Sequence, residues 1–247
     1  MALIQSHRPT REDMRVWRER ERLDRALYTS GGTREKERQA LEALREFARE
    51  PFYVSVSWGK DSVVVADLVA RHYDELGRPP IVWFPAGAIE NPDCVLVRDV
   101  FLRLHDVDYH EIPATLTSDE WDRTLGHDGA QAEFELAARQ FGRRYASGVR
   151  AEESGVRKMA VGHHGLVSRN SCRPIGTWGH HHVFAYLVGR DLPIHPAYAC
   201  SLDGTIDRAV LRVSTIGGER GRRFGRQQWE RRYYPEVAAI QMKARER

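Results

Sequence analysis

The stretch from Phe52 to Leu76 constrains this 247-residue chain more than any other. Phe52-Tyr53-Val54-Ser55-Val56 is rich in aromatic and β-branched residues and predicts a buried strand. Val63 to Ala70, continuing to Tyr73 and Leu76, predicts a helix, because Val64/Leu68, Val65/Val69 and Val69/Tyr73 stand four apart and share a face. Between them lies the short loop Ser57-Trp58-Gly59-Lys60-Asp61-Ser62. Asp61 and Ser62 suit the helix start, where short polar side chains accept orphan backbone N–H bonds. A strand, a tight polar loop and a helix N-terminus together form an anion site, since free N–H groups and the positive dipole end face the space above. The plainer alternative is a strand–turn–helix with an exposed lysine. The strength of the flanking strand and helix weighs against it.

The rest of the chain alternates in the same way. Helices are expected over 10–27, with Met14, Trp17, Leu23 and Leu27 as sparse apolar positions, and from Thr33, with Leu41, Leu44, Phe47 and Ala48 on one face. The first reads as a solvated helix laced with Arg–Glu pairs. Strands are expected over 81–84, 108–112 and 146–150, and helices over 92–105, 119–125 and 130–145. Phe134, Leu136, Ala137 and Phe141 mark the packing stripe of the last helix. Strands separated by helices imply right-handed crossovers and a mainly parallel α/β sheet, with ligands beyond the carboxyl ends of its strands. The Ser57 loop and the segment after Val149 should meet there. The expected divisions are a helical N-terminal extension (1–50), a nucleotide-binding α/β domain (51–200) and a basic C-terminal segment (201–247).

The chain has 30% charged residues and no apolar run near the roughly 20 residues of a membrane helix. Its N-terminus lacks a signal-peptide pattern, so the expectation is cytoplasmic with no membrane contact. Cys94, Cys172 and Cys200 form no Cys-x-x-Cys pair, so neither a disulfide framework nor a zinc or iron–sulfur site is suggested. His163-His164 and His180-His181-His182 fit no metal spacing and read as surface, so no metal ligand is assigned.

The loop is not a Walker A motif: Val54 stands at the position of its first glycine, and Asp61 follows Lys60. It resembles the Ser-x-Gly-Lys-Asp-Ser signature of the PP-loop ATP pyrophosphatases. Gly148-Val149-Arg150-Ala151-Glu152-Glu153-Ser154-Gly155-Val156-Arg157 is similar to a second signature, that of the phosphoadenylylsulfate (PAPS) reductase branch. A third likeness runs through Arg173-Pro174-Ile175-Gly176-Thr177-Trp178 and Leu192-Pro193-Ile194-His195-Pro196-Ala197-Tyr198. Three ordered signatures over about Tyr53 to Tyr198 are more specific than one. Three departures stand out. Trp58 replaces the family's first loop glycine, which requires a negative φ there. Pro85-Ala86-Gly87 replaces its Asp-Thr-Gly. The C-terminus lacks the reductase cysteine motif, which makes the chain look most like the ATP pyrophosphatase component of DNA phosphorothioation systems.

The resemblance implies that ATP with Mg2+ is cleaved to AMP and diphosphate while an acceptor oxygen is adenylated for sulfur transfer. Ser55, Ser57, Trp58, Gly59, Lys60, Asp61, Ser62, Gly87, Gly148 and Arg150 would bind the nucleotide. Lys60 would neutralise the diphosphate, Asp61 or Glu153 would assist magnesium, and Arg150 and Arg157 would act at the α-phosphate. Cys172, beside Arg173, would have a lowered thiol pKa and could carry sulfur, as could Cys94. DNA as acceptor, a sulfur donor such as a cysteine desulfurase, and a homodimer are the implied partners. Glycines, arginines and aromatics over 212–234 suit either a polyanion or a fold-back over the nucleotide, with Arg212 assigned to the second role. A PAPS-type reductase with a relocated cysteine and a non-catalytic nucleotide-binding subunit are the rival readings.

Overall fold

The computed structural model describes residues 2–85, 90–113, 129–213 and 225–239, with backbone alone at 129–133 and 226. Helices α1 (Arg11–Thr29) and α2 (Arg34–Phe47) precede the first strand. Then follow β1 (Tyr53–Val56), α3 (Lys60–Arg71), β2 (Ile81–Trp83), α4 (Cys94–Leu104) and β3 (Tyr109–Glu111). The second half comprises α5 (Gly129–Phe141), β4 (Tyr145–Ser147), α6 (Gly155–His164), β5 (Ser171–Cys172), α7 (His180–Gly189) and α8 (Arg226–Tyr233). Short 3-10 turns lie at Ala151–Glu153 and Pro196–Ala199.

Among the described residues five strands form one sheet, all parallel, in the order β3-β2-β1-β4-β5. The α/β class and the parallel sheet agree with the sequence. The expected helix over 119–125 lies outside the described residues. The strand expected over 146–150 runs from Tyr145 to Ser147 and releases Gly148 to Arg150 as loop, while β5, two residues long, carries no sequence signal.

Helix α3 is buried nearly all round, from Lys60 to Val69. The sheet covers one side and α2 with α7 the other, and a helix between two layers needs apolar residues on both faces. Six residues of α7, Val183 to Val188, are likewise buried, with α1 packed across them. Trp17 meets Phe184 edge to face at 6.1 Å. Thus α1 is more than the solvated helix expected. Its outer face does carry Arg15 between Glu12 and Glu19, but Asp13, Trp17 and Asp24 face inward. The buried Asp24 carboxylate is gripped by both Nη atoms of Arg208, at 2.6 and 2.7 Å. On α5 the expected stripe is half realised: Ala137 is buried, while Phe134 and Leu136 remain exposed. One continuous core joins residues of α1, α2, α3, α7 and α8. Among the described residues no helix is long and apolar enough to cross a membrane.

Candidate functional site

Beyond the carboxyl ends of β1 and β4 lies a cavity of about 240 Å3. Its walls are Ser55 to Ser57, Gly59 to Ser62, Ser147 to Val149, Glu153, Arg157, Tyr198, Arg212 and Val213. In the strand order, β1 and β4 are the neighbours at which connections turn from one sheet edge to the other. Such a switch point opens a crevice because the flanking loops diverge. Sites that enclose a whole drug-sized molecule run from about 300 to 1,000 Å3, a range this cavity falls short of.

The loop is closed upon itself. The Ser57 N–H donates to Ser62 Oγ at 3.2 Å, and that hydroxyl donates to the Gly59 carbonyl at 3.0 Å. Trp58, between them, has φ +55°, which overturns the expected negative φ. A non-glycine residue in this region costs of order 1–2 kcal/mol. The Trp58 ring is fully buried and faces away from the cavity, against Trp83, Phe101 and Tyr109. It therefore contacts no ligand space, unlike Ser57 and Gly59 on either side. Gly148 is needed for a different reason. A Cβ there would lie 2.6 Å from the Asp61 carbonyl carbon and 2.8 Å from the Ser62 nitrogen, so the backbone after β4 rests directly on the first turn of α3.

Lys60, though it stands in a loop-to-helix turn, is only 3% exposed. Its ammonium meets Asp61 Oδ2 at 2.9 Å and sits 5.1 Å from the Tyr198 ring centroid. Its backbone N–H donates to the Tyr198 hydroxyl at 3.1 Å. Burial pushes that phenol pKa up, which keeps the hydroxyl neutral. Arg150, which the resemblance placed at the α-phosphate, is also buried and does not line the cavity. Its Nε donates to Asp61 Oδ1 at 2.6 Å, and its Nη1 to Glu152 at 2.5 Å and to the Trp178 carbonyl at 3.2 Å. Burial opposes its charge, but Asp61 and Glu152 overrule that and raise its pKa. Arg150 acts as a strut that fixes Asp61.

Behind the strut, Glu152 accepts from the His180 N–H at 2.7 Å and meets His180 Nδ1 at 3.1 Å. Partial burial opposes ionisation, yet the bonds from His180 and Arg150 hold this carboxyl down to about 2. At the cavity wall Glu153 accepts from the Arg150 N–H at 3.3 Å and pairs with Arg157. The Arg157 N–H is received by Ser154 Oγ, which caps α6. Lys60 and Arg157 thus face the cavity with Asp61 and Glu153 at their sides. An entering polyanion can take over these cations from their carboxylates.

Cys172 does not join them. It is buried on β5, its thiol directed at the Ala43 carbonyl at 3.7 Å, and burial pushes its pKa up to about 12. The lowering expected from Arg173 is outweighed by desolvation. Cys94 lies behind the loop, with Sγ 3.7 Å from the Ser57 carbonyl oxygen, and burial raises its pKa well above the ordinary value. Cys200 is buried as expected. Gly87 lies outside the described residues. His180 to His182 begin α7, and burial with nearby His181 and Lys36 holds His182 down to about 4. Sequence reasoning quoted Tyr198 only as part of a motif and missed its hydroxyl at the loop. It assigned Arg212 a fold-back role, and the structure places Arg212 and Val213 at the cavity. Ser147 had no signal beyond its position at a strand end.

Among the described residues no cluster of three or more His, Cys, Asp or Glu could hold a metal. Mg2+ does not require one, since it binds through one or two carboxylates plus substrate phosphates and water. Asp61 and Glu153 are the carboxylates on this cavity that fit that role.

No protein-family model matches the chain, and no curated protein matches it. Among solved structures, the chain is similar to the phosphoadenylyl-sulfate (PAPS) reductase from Candida auris in its phosphate complex. The two are 12% identical with a TM-score of 0.42, over 62% of this chain and 81% of that one. A likeness at that level assigns no activity. Fold and cavity by themselves define an α/β protein with a polar cleft built on a strand–loop–helix unit.

Proposed function

We propose that the cleft binds the diphosphate end of ATP and that the chain is an ATP pyrophosphatase that adenylates an acceptor oxygen. The observation that carries this is the convergence of Lys60, Arg157, Ser57, Gly59 and Ser62 on one cavity at the N-terminus of α3. Orphan helix N–H groups, a buried ammonium and a guanidinium are what a departing diphosphate requires. The acceptor oxygen attacks the α-phosphorus, the bond to the α,β-bridging oxygen breaks, and its electron pair leaves with diphosphate. Lys60 and Arg157 stabilise that developing charge. Arg150, through Asp61, holds the site's geometry, which lowers reorganisation during the step. Mg2+, carried by the phosphates and held by Asp61 or Glu153, would supply further charge neutralisation.

Sulfur from a donor such as a cysteine desulfurase would then displace AMP from the activated acceptor. We assign DNA as that acceptor, as in phosphorothioation. The three cysteines of the chain are buried, and Cys172 has its thiol pKa near 12, which disfavours a reductase with a relocated nucleophile.

ATP labelled at the α-phosphate tests the reading. The expected products are AMP and diphosphate, and ADP with phosphate would reject it. Lys60→Met keeps the buried stem and removes the charge. It should lower turnover at least about a hundredfold with little change in thermal stability, and equal turnover would contradict the assignment. Failure of the wild-type protein to bind DNA at low salt, alone or with its donor, would remove DNA as acceptor.

A further inference from the structure

We propose that Trp58 is a positioning residue for the anion cleft, acting from outside it. This rests on the reading of the cleft as a diphosphate site. Trp58 is the one residue between Val54 and Ser62 with a positive φ, +55°. Its neighbours on either side, Ser57 and Gly59, line the cavity. The ring itself is 0% exposed and lies between Phe101 at 5.4 Å, Tyr109 at 5.7 Å and Trp83 at 6.5 Å, centroid to centroid. Those rings come from α4, β3 and β2, three separate elements.

The loop therefore has two fasteners. Within it, Ser62 Oγ joins the Ser57 N–H to the Gly59 carbonyl across Trp58. Outside it, the aromatic box holds the side chain of the residue that makes the turn. Glycine would adopt this φ without strain, but it would supply no anchor. The tryptophan exchanges conformational ease for a fixed bend, and the anchored ring decides where the Ser57 and Gly59 backbone groups point. The left-handed bend and the aromatic box are thus one device, tying the phosphate loop to the far half of the sheet.

Binding of inorganic diphosphate, measured by calorimetry, and amide hydrogen exchange across residues 57–62 test this together. Trp58→Gly relieves the backbone and removes the anchor. It should raise the diphosphate Kd about tenfold, since small misplacement of a preorganised site is costly, and should speed exchange in the loop. Trp58→Phe retains an aromatic anchor and should stay within about threefold of wild type. Phe101→Leu, which trims one wall of the box, should fall between them and serves if Trp58→Gly does not fold. Phe47→Leu, a core ring that packs on Phe52 at 5.3 Å, should lower Tm without altering loop exchange or Kd. Trp58→Gly and Phe101→Leu with wild-type Kd and wild-type loop exchange would overturn the proposal. If wild-type protein binds no diphosphate, the functional reading fails, and the exchange data alone decide whether Trp58 positions the loop.

Discussion

Gly148 shows how little room the cleft leaves at single residues. Its missing Cβ would collide with the Asp61–Ser62 peptide at under 3 Å, and backbone cannot rotate aside as a side chain can. Gly148→Ala should cost about 2 kcal/mol or more and also displace the first turn of α3. Chemical denaturation and diphosphate titration would check both, and an unchanged midpoint with unchanged affinity would refute the contact. Glu152 gives a pH signature. Its carboxyl is held down to about 2 by His180 and Arg150 against the opposing effect of burial. A depressed folded-state pKa contributes stability above the ordinary carboxylate range, and that contribution is lost as pH falls toward 2. The Tm difference between wild type and Glu152→Gln should be present at pH 6 and shrink toward pH 2. A difference constant over that range would show that the ion pair is not its source.

At the scale of elements, Asp13 decides how α1 meets the end of the chain. Its carboxylate accepts from the Thr10 N–H, closing a capping box at 2.9 Å. It also accepts from the Ser201 N–H and hydroxyl, the Asp203 N–H and the Tyr233 hydroxyl, at 2.7 to 3.0 Å. Burial opposes its ionisation, but these donors win and lower its pKa. Asp13→Ala would leave several buried donors without a partner, at about 3 kcal/mol or more, and urea unfolding would measure it. A loss below 1 kcal/mol, the size of an ordinary cap, would mean that the network contributes nothing beyond the cap. The capping box was legible as Thr-x-x-Asp, but the four further bonds were not, because their partners stand some 190 to 220 positions away. β5 was illegible for the opposite reason: two residues cannot show a period.

For the whole molecule, the shared core has a consequence for the first two helices. Residues Val183 to Val188 of α7 are buried, with α1 packed across them and α3 on the helix's other flank. Removing residues 1–30 would expose that apolar surface together with Arg208, which loses Asp24. The truncated chain should lose its cooperative thermal transition rather than shift it by a few degrees. Retention of a sharp transition near the wild-type Tm would show that the α/β part is stable without α1.

The sequence by itself determined the sheet class and the place of the site. Apolar strands, a polar loop and a valine-rich helix are local patterns, and parallel connectivity follows from their alternation. It determined that Ser57, Gly59 to Ser62, Gly148, Glu153 and Arg157 would come together, since strand ends at a switch point must. Tertiary structure alone decided what each side chain does there. Burial set Arg150 against Asp61 and out of the cavity wall, withdrew Lys60 from solvent and raised the Cys172 thiol pKa. It also set Trp58 in a left-handed bend with its ring among aromatics of three other elements. Desolvation and long-range packing set those roles, and neither leaves a period in the sequence.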